Sequence, residues 1–277
     1  MTKNCLVMLA YGVLLGAPIA GASISYSFTC RTKVIRGNDV FYENRAHPYV
    51  FRVEVCGDSG VAKAEGAKWG KPFIEAVPGE RYCVRLHNPL PVRAAANLVI
   101  DGLSSVSGEP VAPEGGSKWI LEGNTELTLR GWQVSGKEAR RFVFTERGES
   151  YAAWRSGAWG RDLSVNCGVI AAAFFWSKGD LEAWFEDHPI VERGHEAHLS
   201  REKAPAVPGC RSSADSAGTG MGGRESHPVQ TVAFHYDSGM YLARQAVVLY
   251  YDFAPVRERP TPFLERWAVE MPMGRDR

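Results

Sequence analysis

The sequence predicts a mainly β protein: an antiparallel β-sandwich, with a barrel as the alternative closure. Three observations carry that reading. Apolar and polar residues alternate at period two through most of the chain. Clusters of Gly, Pro, Asn and Ser interrupt the alternation roughly every ten residues. Segments alternating between strand and amphipathic helix, the mark of a doubly wound fold, are absent.

The elements follow in order. The opening "MTKNCLVMLAYGVLLGAPIAGAS" places Lys3 before an apolar run and then small residues, the order of a secretory signal peptide over residues 1–22. The run is short for a spanning helix and contains Pro18, although a retained anchor has a similar composition. No later segment is long and apolar enough to span a bilayer. A sandwich core is expected over residues 23–177. "SISYSFTC" sets Ile24, Tyr26, Phe28 and Cys30 against four hydroxyl residues. Further strands are expected at Tyr49–Cys56, Arg81–His87, Ala94–Ile100, Trp119–Leu121, Glu126–Leu129 and Arg141–Phe144. "GVIAAAFFW", Gly168–Trp176, is apolar throughout, as a central strand covered on both faces would be; a buried helix reads the same way. Residues 178–199 hold one short helix, with Leu181, Trp184 and Phe185 on a stripe and Asp180 at its start, followed by a histidine segment. Residues 200–228 are rich in Gly, Ser and Pro and predict a disordered linker. Residues 229–254 predict a C-terminal hairpin docking on the core, and residues 255–277 form a tail.

Cleavage after Ala22 leaves 255 residues with 31 basic and 31 acidic groups, a balance that offers no stripe for nucleic acid. Of the five cysteines that remain (Cys30, Cys56, Cys83, Cys167 and Cys210), no two form a C-x-x-C pair. Period-2 alternation turns Cys56 and Cys83 away from the apolar faces of their strands, onto the wetter side. If those strands are neighbours, Cys56 and Cys83 form a disulfide.

The glycines in "SAGTGMGGRESHP" invite a phosphate-cradling reading. No strand is predicted before them, a strand rather than a helix is predicted after them, and no lysine completes a Walker pattern. They read as a tether. In "HPIVERGHEAHLSRE", His195, Glu196 and His198 could begin a metal site, but H-E-A-H is one residue short of the zincin spacing and has no third ligand. No G-x-S-x-G elbow is present. Asp101-Gly102 reads as a turn, and Glu146 and Glu149 as loop charges more than a catalytic pair. Trp132, Trp154 and Trp159 could form a sugar-stacking platform, but the reading preferred is that they anchor the core.

The succession "VIDGL", "ILEGNTELTLRGWQVS", "ARRFVFTERGESYAAW", "VNCGVIAAAFF", "GTGMGGRES" and "FHYDS" resembles a family of bacterial exported β-rich proteins with no established activity. The resemblance covers roughly Tyr82 to Phe253, with gaps. Ser104 stands where members usually have Asn, and Gln133 where they often have Arg. It implies a β-rich core and a glycine-containing spacer before a terminal strand segment, and it carries no catalytic residue across. The expectation is therefore a periplasmic or extracellular, non-enzymatic module, without cofactor, that binds a protein or glycan partner or the envelope. A metal-dependent or carbohydrate-active hydrolase is the alternative.

Overall fold

The computed structural model describes residues 22–68, 71–192, 216–237 and 246–253, leaving aside the side chains of residues 22–27 and 67–68. Among them the early alternation builds a long hairpin. β1 (Ala22–Arg36) and β2 (Asp39–Gly57) pair antiparallel from Arg36↔Asp39 to Ala22↔Val53, and Gly37 at φ +61° leads the two-residue turn between them. On the far side of β2, β5 (Arg81–Asn88) pairs from Gly57↔Tyr82 to Arg52↔His87. β5 pairs in turn with β9 (Thr125–Leu129) and with β11 (Glu138–Glu146), and β11 pairs with β10 (Gly131–Gln133), while β13 (Ile190–Glu192) adds parallel to β1.

The second sheet runs β3 (Glu65–Lys68), β4 (Lys71–Ala76), β15 (Val247–Phe253), β12 (Val169–Trp176), β6 (Ala94–Ile100) and β7 (Leu103–Ser104), with β8 (Trp119–Leu121) also on β6. The two sheets face each other as a sandwich, and neither closes into a barrel. Both are mixed, because β13 and β1, and β15 and β4, run parallel.

Every residue of β6 and β12 is buried, which explains the unbroken apolar run of β12 and that of β6, interrupted only by Asn97, whose amide donates to the carbonyls of Ala112, Pro113 and Gly115. One face meets the first sheet: Phe51 stacks on Phe174 at 4.6 Å and on Trp176 at 5.4 Å. Each such aromatic side chain contributes about 1.5–3 kcal/mol through burial. The other face carries Ala95, Val99, Ala171 and Phe175, onto which Phe234 and Tyr236 pack.

Among the described residues two helices are present where one was expected. α1 (Tyr151–Trp159) starts at Ser150, whose hydroxyl accepts from the Ala153 N–H, and ends at Gly160 in the left-handed region. α2 (Lys178–Asp187) buries Leu181 and Phe185; its cap is Ser177, which accepts from the Asp180 N–H, and not Asp180 itself.

The segment expected as a tether is the largest correction. β14 (Ala217–Ser226) lies antiparallel to β11, from Glu146↔Ala217 to Glu138↔Ser226. Glycine is required there by closeness. A Cβ on Gly218 would stand 2.7 Å from the Ser150 Cβ, and one on Gly222 would stand 2.7 Å from the Val143 Cγ2. Residues 193–215, the rest of the expected linker among them, lie outside the described residues. The expected C-terminal hairpin is not formed either. Residues 227–237 make no strand, and β15 pairs with β4 on one side and β12 on the other instead of with residues 227–237.

Candidate functional site

The predicted cysteine pair comes together without a bond. Cys56 and Cys83 are direct cross-strand partners, yet both are free thiols, and both are buried instead of lying on a wet face. The loop after β2 folds back over them, with Ala62 bridging to Cys56. Alternation along β2 makes this a hydrogen-bonded pair, whose Cβ atoms stand about 5.5 Å apart, wider than the roughly 3.5–4.5 Å of a disulfide. A hydrogen bond from the Cys56 thiol, helped by Arg130, Arg85 and Arg141, lowers Cys83 to about 7, while the same bond and burial raise Cys56.

His195, Glu196 and His198 lie outside the described residues. Glu146 and Glu149 are both exposed, and Glu149 only accepts from the Thr145 hydroxyl at 3.2 Å. Trp132 belongs to the core, but Trp154 and Trp159 do not: they are 72% and 42% exposed. Nine residues of α1 cannot turn every tryptophan inward.

Asp101-Gly102 is a turn, as expected, but the aspartate is buried, and nothing in the local sequence signals what surrounds it. Asp101, at φ +52°, accepts at Oδ1 from the Gly168 N–H at 3.0 Å and from the Tyr251 hydroxyl at 2.6 Å. Its Oδ2 accepts from the Thr219 N–H at 2.6 Å. The Tyr251 proton is thus committed, so the Thr219 hydroxyl donates to Tyr251 at 2.6 Å and Tyr82 donates to Thr219 at 2.7 Å. Three strands, β5, β14 and β15, therefore meet the turn after β6 at a chain of directed hydrogen bonds ending on one carboxylate. Burial pushes Asp101 up to about 6, against the pull of those donors. Beside it, the Ser150 hydroxyl donates to the Arg147 carbonyl, so the Cys167 thiol donates to Ser150 at 3.2 Å. Burial raises that thiol well above its ordinary value. The constellation looks catalytic by residue type, but every polar atom faces another one inside the protein. It ties the sheets together.

Access lies elsewhere. After β14 the chain crosses from the first sheet to the second as a strap. It is held at one end by His227 N–H to Lys137 O and Val229 N–H to Gly136 O, and at the other by Asp237 N–H to Trp176 O. Between strap and β8 lies a groove of about 480 Å³. Its walls are mainly apolar, with Val106, Ile120, Leu127, Val229 and Phe234 among them, and no carboxylate side chain of the described residues lines it. Trp119 is in its lining, the indole N–H donating to the Ser105 hydroxyl at 2.9 Å. Lys118, the one lysine or arginine among the described lining residues, is fully engaged. It donates to the carbonyls of Glu114, Gly115 and Gly116 and sits 5.1 Å from the ring centres of Phe175 and Tyr236. The Gln133 amide donates to the carbonyls of Ser135 and His227, so its oxygen accepts from Nδ1–H of His227 at 2.7 Å. This fixes the tautomer and leaves Nε2 of His227 as an acceptor in the groove lining. No family model, curated protein or solved structure matches the chain.

Proposed function

We propose that the protein is an exported, non-enzymatic binding module whose ligand seats in the groove beneath the strap. The observation that carries this reading is the pairing of an apolar trough with one oriented acceptor, His227 Nε2. Such a site suits a ligand with an apolar body and a hydrogen-bond donor, such as a peptide segment or a glycan of the envelope. The burial of Asp101 supports binding over catalysis, since its carboxylate meets only protein groups. Export rests on the order of charge, apolar run and small residues at the start; the described fold begins with β1 at Ala22, so cleavage before Ser23 would take only that first residue from it.

The test uses ligand-observed NMR with defined probes, peptidoglycan fragments and extended apolar peptides, on the intact protein, on Leu127→Trp to fill the groove and on His227→Ala. Saturation transfer to one probe class, lost in both variants, is the expected result. Binding that survives both changes, or turnover of a probe, would overturn the reading.

A further inference from the structure

The β1–β2 hairpin outruns its neighbour. β5 covers β2 only from Gly57 back to Arg52, so the earlier part of β2 has no strand on that side among the described residues. The direction of its backbone follows from the turn. A two-residue turn makes Arg36↔Asp39 a hydrogen-bonded pair, and alternation then sends the odd-numbered residues of β2 to β1. The N–H and C=O groups of Val40, Tyr42, Asn44 and Ala46 therefore point away from the hairpin. Two independent features agree. Val55, an odd residue, gives its carbonyl to Lys63 N–H on the β1 side, and Pro48, with no N–H to give, falls on an outward position.

Edges left open like this are normally blunted by lysine or by inward charges. This one ends instead in Val40, Phe41 and Tyr42, which are 51%, 40% and 47% exposed. We propose that this edge pairs with the same edge of a second copy of the chain, antiparallel, about a two-fold axis at Asn44. Self-complementarity selects the occupant. Outward residues must meet outward residues, and the register centred on Asn44 sets Glu43 opposite Arg45 of the second copy, twice. Those two side chains already pair with each other and with Arg36 and Glu192 in their own chain, but at 32% and 28% exposed they stay within reach of a neighbour and would extend that network across the seam. The register centred on Glu43 would instead place two glutamates face to face. Pro48 ends the ladder where it would meet Val40 of the second copy, so the pairing closes as a dimer and cannot propagate.

Sedimentation and hydrogen exchange on the intact protein test this. The mass should double from 30.4 kDa as concentration rises. Amides of Tyr42, Asn44 and Ala46 should become protected with it, while those of Phe41, Glu43 and Arg45, bonded to β1, stay protected at every concentration. Asn44→Pro removes only an outward donor and should abolish the doubling while keeping the melting transition; should it fail to fold, the alternation of protected amides in the native chain decides. A monomer at all concentrations overturns the proposal. So does even-numbered protection that ignores dilution, which would mean another part of the same chain fills the edge.

Discussion

At Asp101 the physics of one residue reaches furthest. Its folded pKa of about 6 stands above the ordinary 3.8 because burial disfavours the charge. The sign follows. The folded state holds the proton more tightly than the unfolded chain, so this group's contribution is fully present below about pH 4 and is lost as pH rises through 6. With about 1.4 kcal/mol for each pH unit between the two values, the loss is about 3 kcal/mol. Chemical denaturation of Asp101→Asn against the parent between pH 4 and 7 should show that slope in the parent alone. Parallel stability curves would sink the assignment. At pH 4 the variant should be weaker by about 1–3 kcal/mol, because an amide nitrogen cannot serve the Thr219 or Gly168 N–H, and the gap should close as the parent loses stability toward pH 7. Little of this site was legible in the sequence. Asp101, Tyr82, Thr219 and Tyr251 are each ordinary where they stand, and only the topology brings them together. Cys56 and Cys83 were legible as partners because period-2 alternation is local. Their lack of a bond was not, because it depends on which pairs of the ladder carry the hydrogen bonds. Both should resist alkylation in the native protein and react once it unfolds, as mass spectrometry can follow.

Short apolar segments bounded by turn residues were the easiest to read. Ala94–Ile100 and Trp119–Leu121 match β6 and β8 residue for residue, and Arg81–His87 stops one residue short of β5. What failed was β14, whose glycines carry no pattern because its stability comes from distant groups. β11 holds it on one side, and on the other the carboxylates of Asp101 and Asp252 accept from the Thr219 and Ala217 N–H groups. The outer reach of the β1–β2 hairpin was missed for a related reason. No strand was expected between Cys30 and Tyr49, where charged residues break the alternation, yet Arg36, Glu43, Arg45 and Glu192 neutralise one another across three strands. The glycines give a direct comparison. Gly218→Ala should lower stability by about 1–3 kcal/mol, since its methyl group meets Ser150 and Cys167. Gly223→Ala has open space and should be neutral or slightly stabilising, by at most about 1 kcal/mol. Equal melting temperatures for the two would return this stretch to a tether.

For the whole molecule, the sequence carried the class, a β-sandwich, but not the order in which strands fill it. An appended hairpin could be removed without harm; a central strand cannot. A chain ending at Asp215 lacks β14, the strap and β15, and so loses the neighbour that β4 and β12 share. It should show no cooperative melting by near-ultraviolet circular dichroism, and an unchanged transition would refute the topology. The place of β15 also has a bearing on biosynthesis. A ribosome adding about 5–20 residues per second needs on the order of ten to thirty seconds to go from the end of β4 to the end of β15. Until β15 emerges, β4 and, once it is made, β12 face a vacant slot, and the second sheet cannot close. A chain held open in this way closes only when its last described strand arrives to fill the gap.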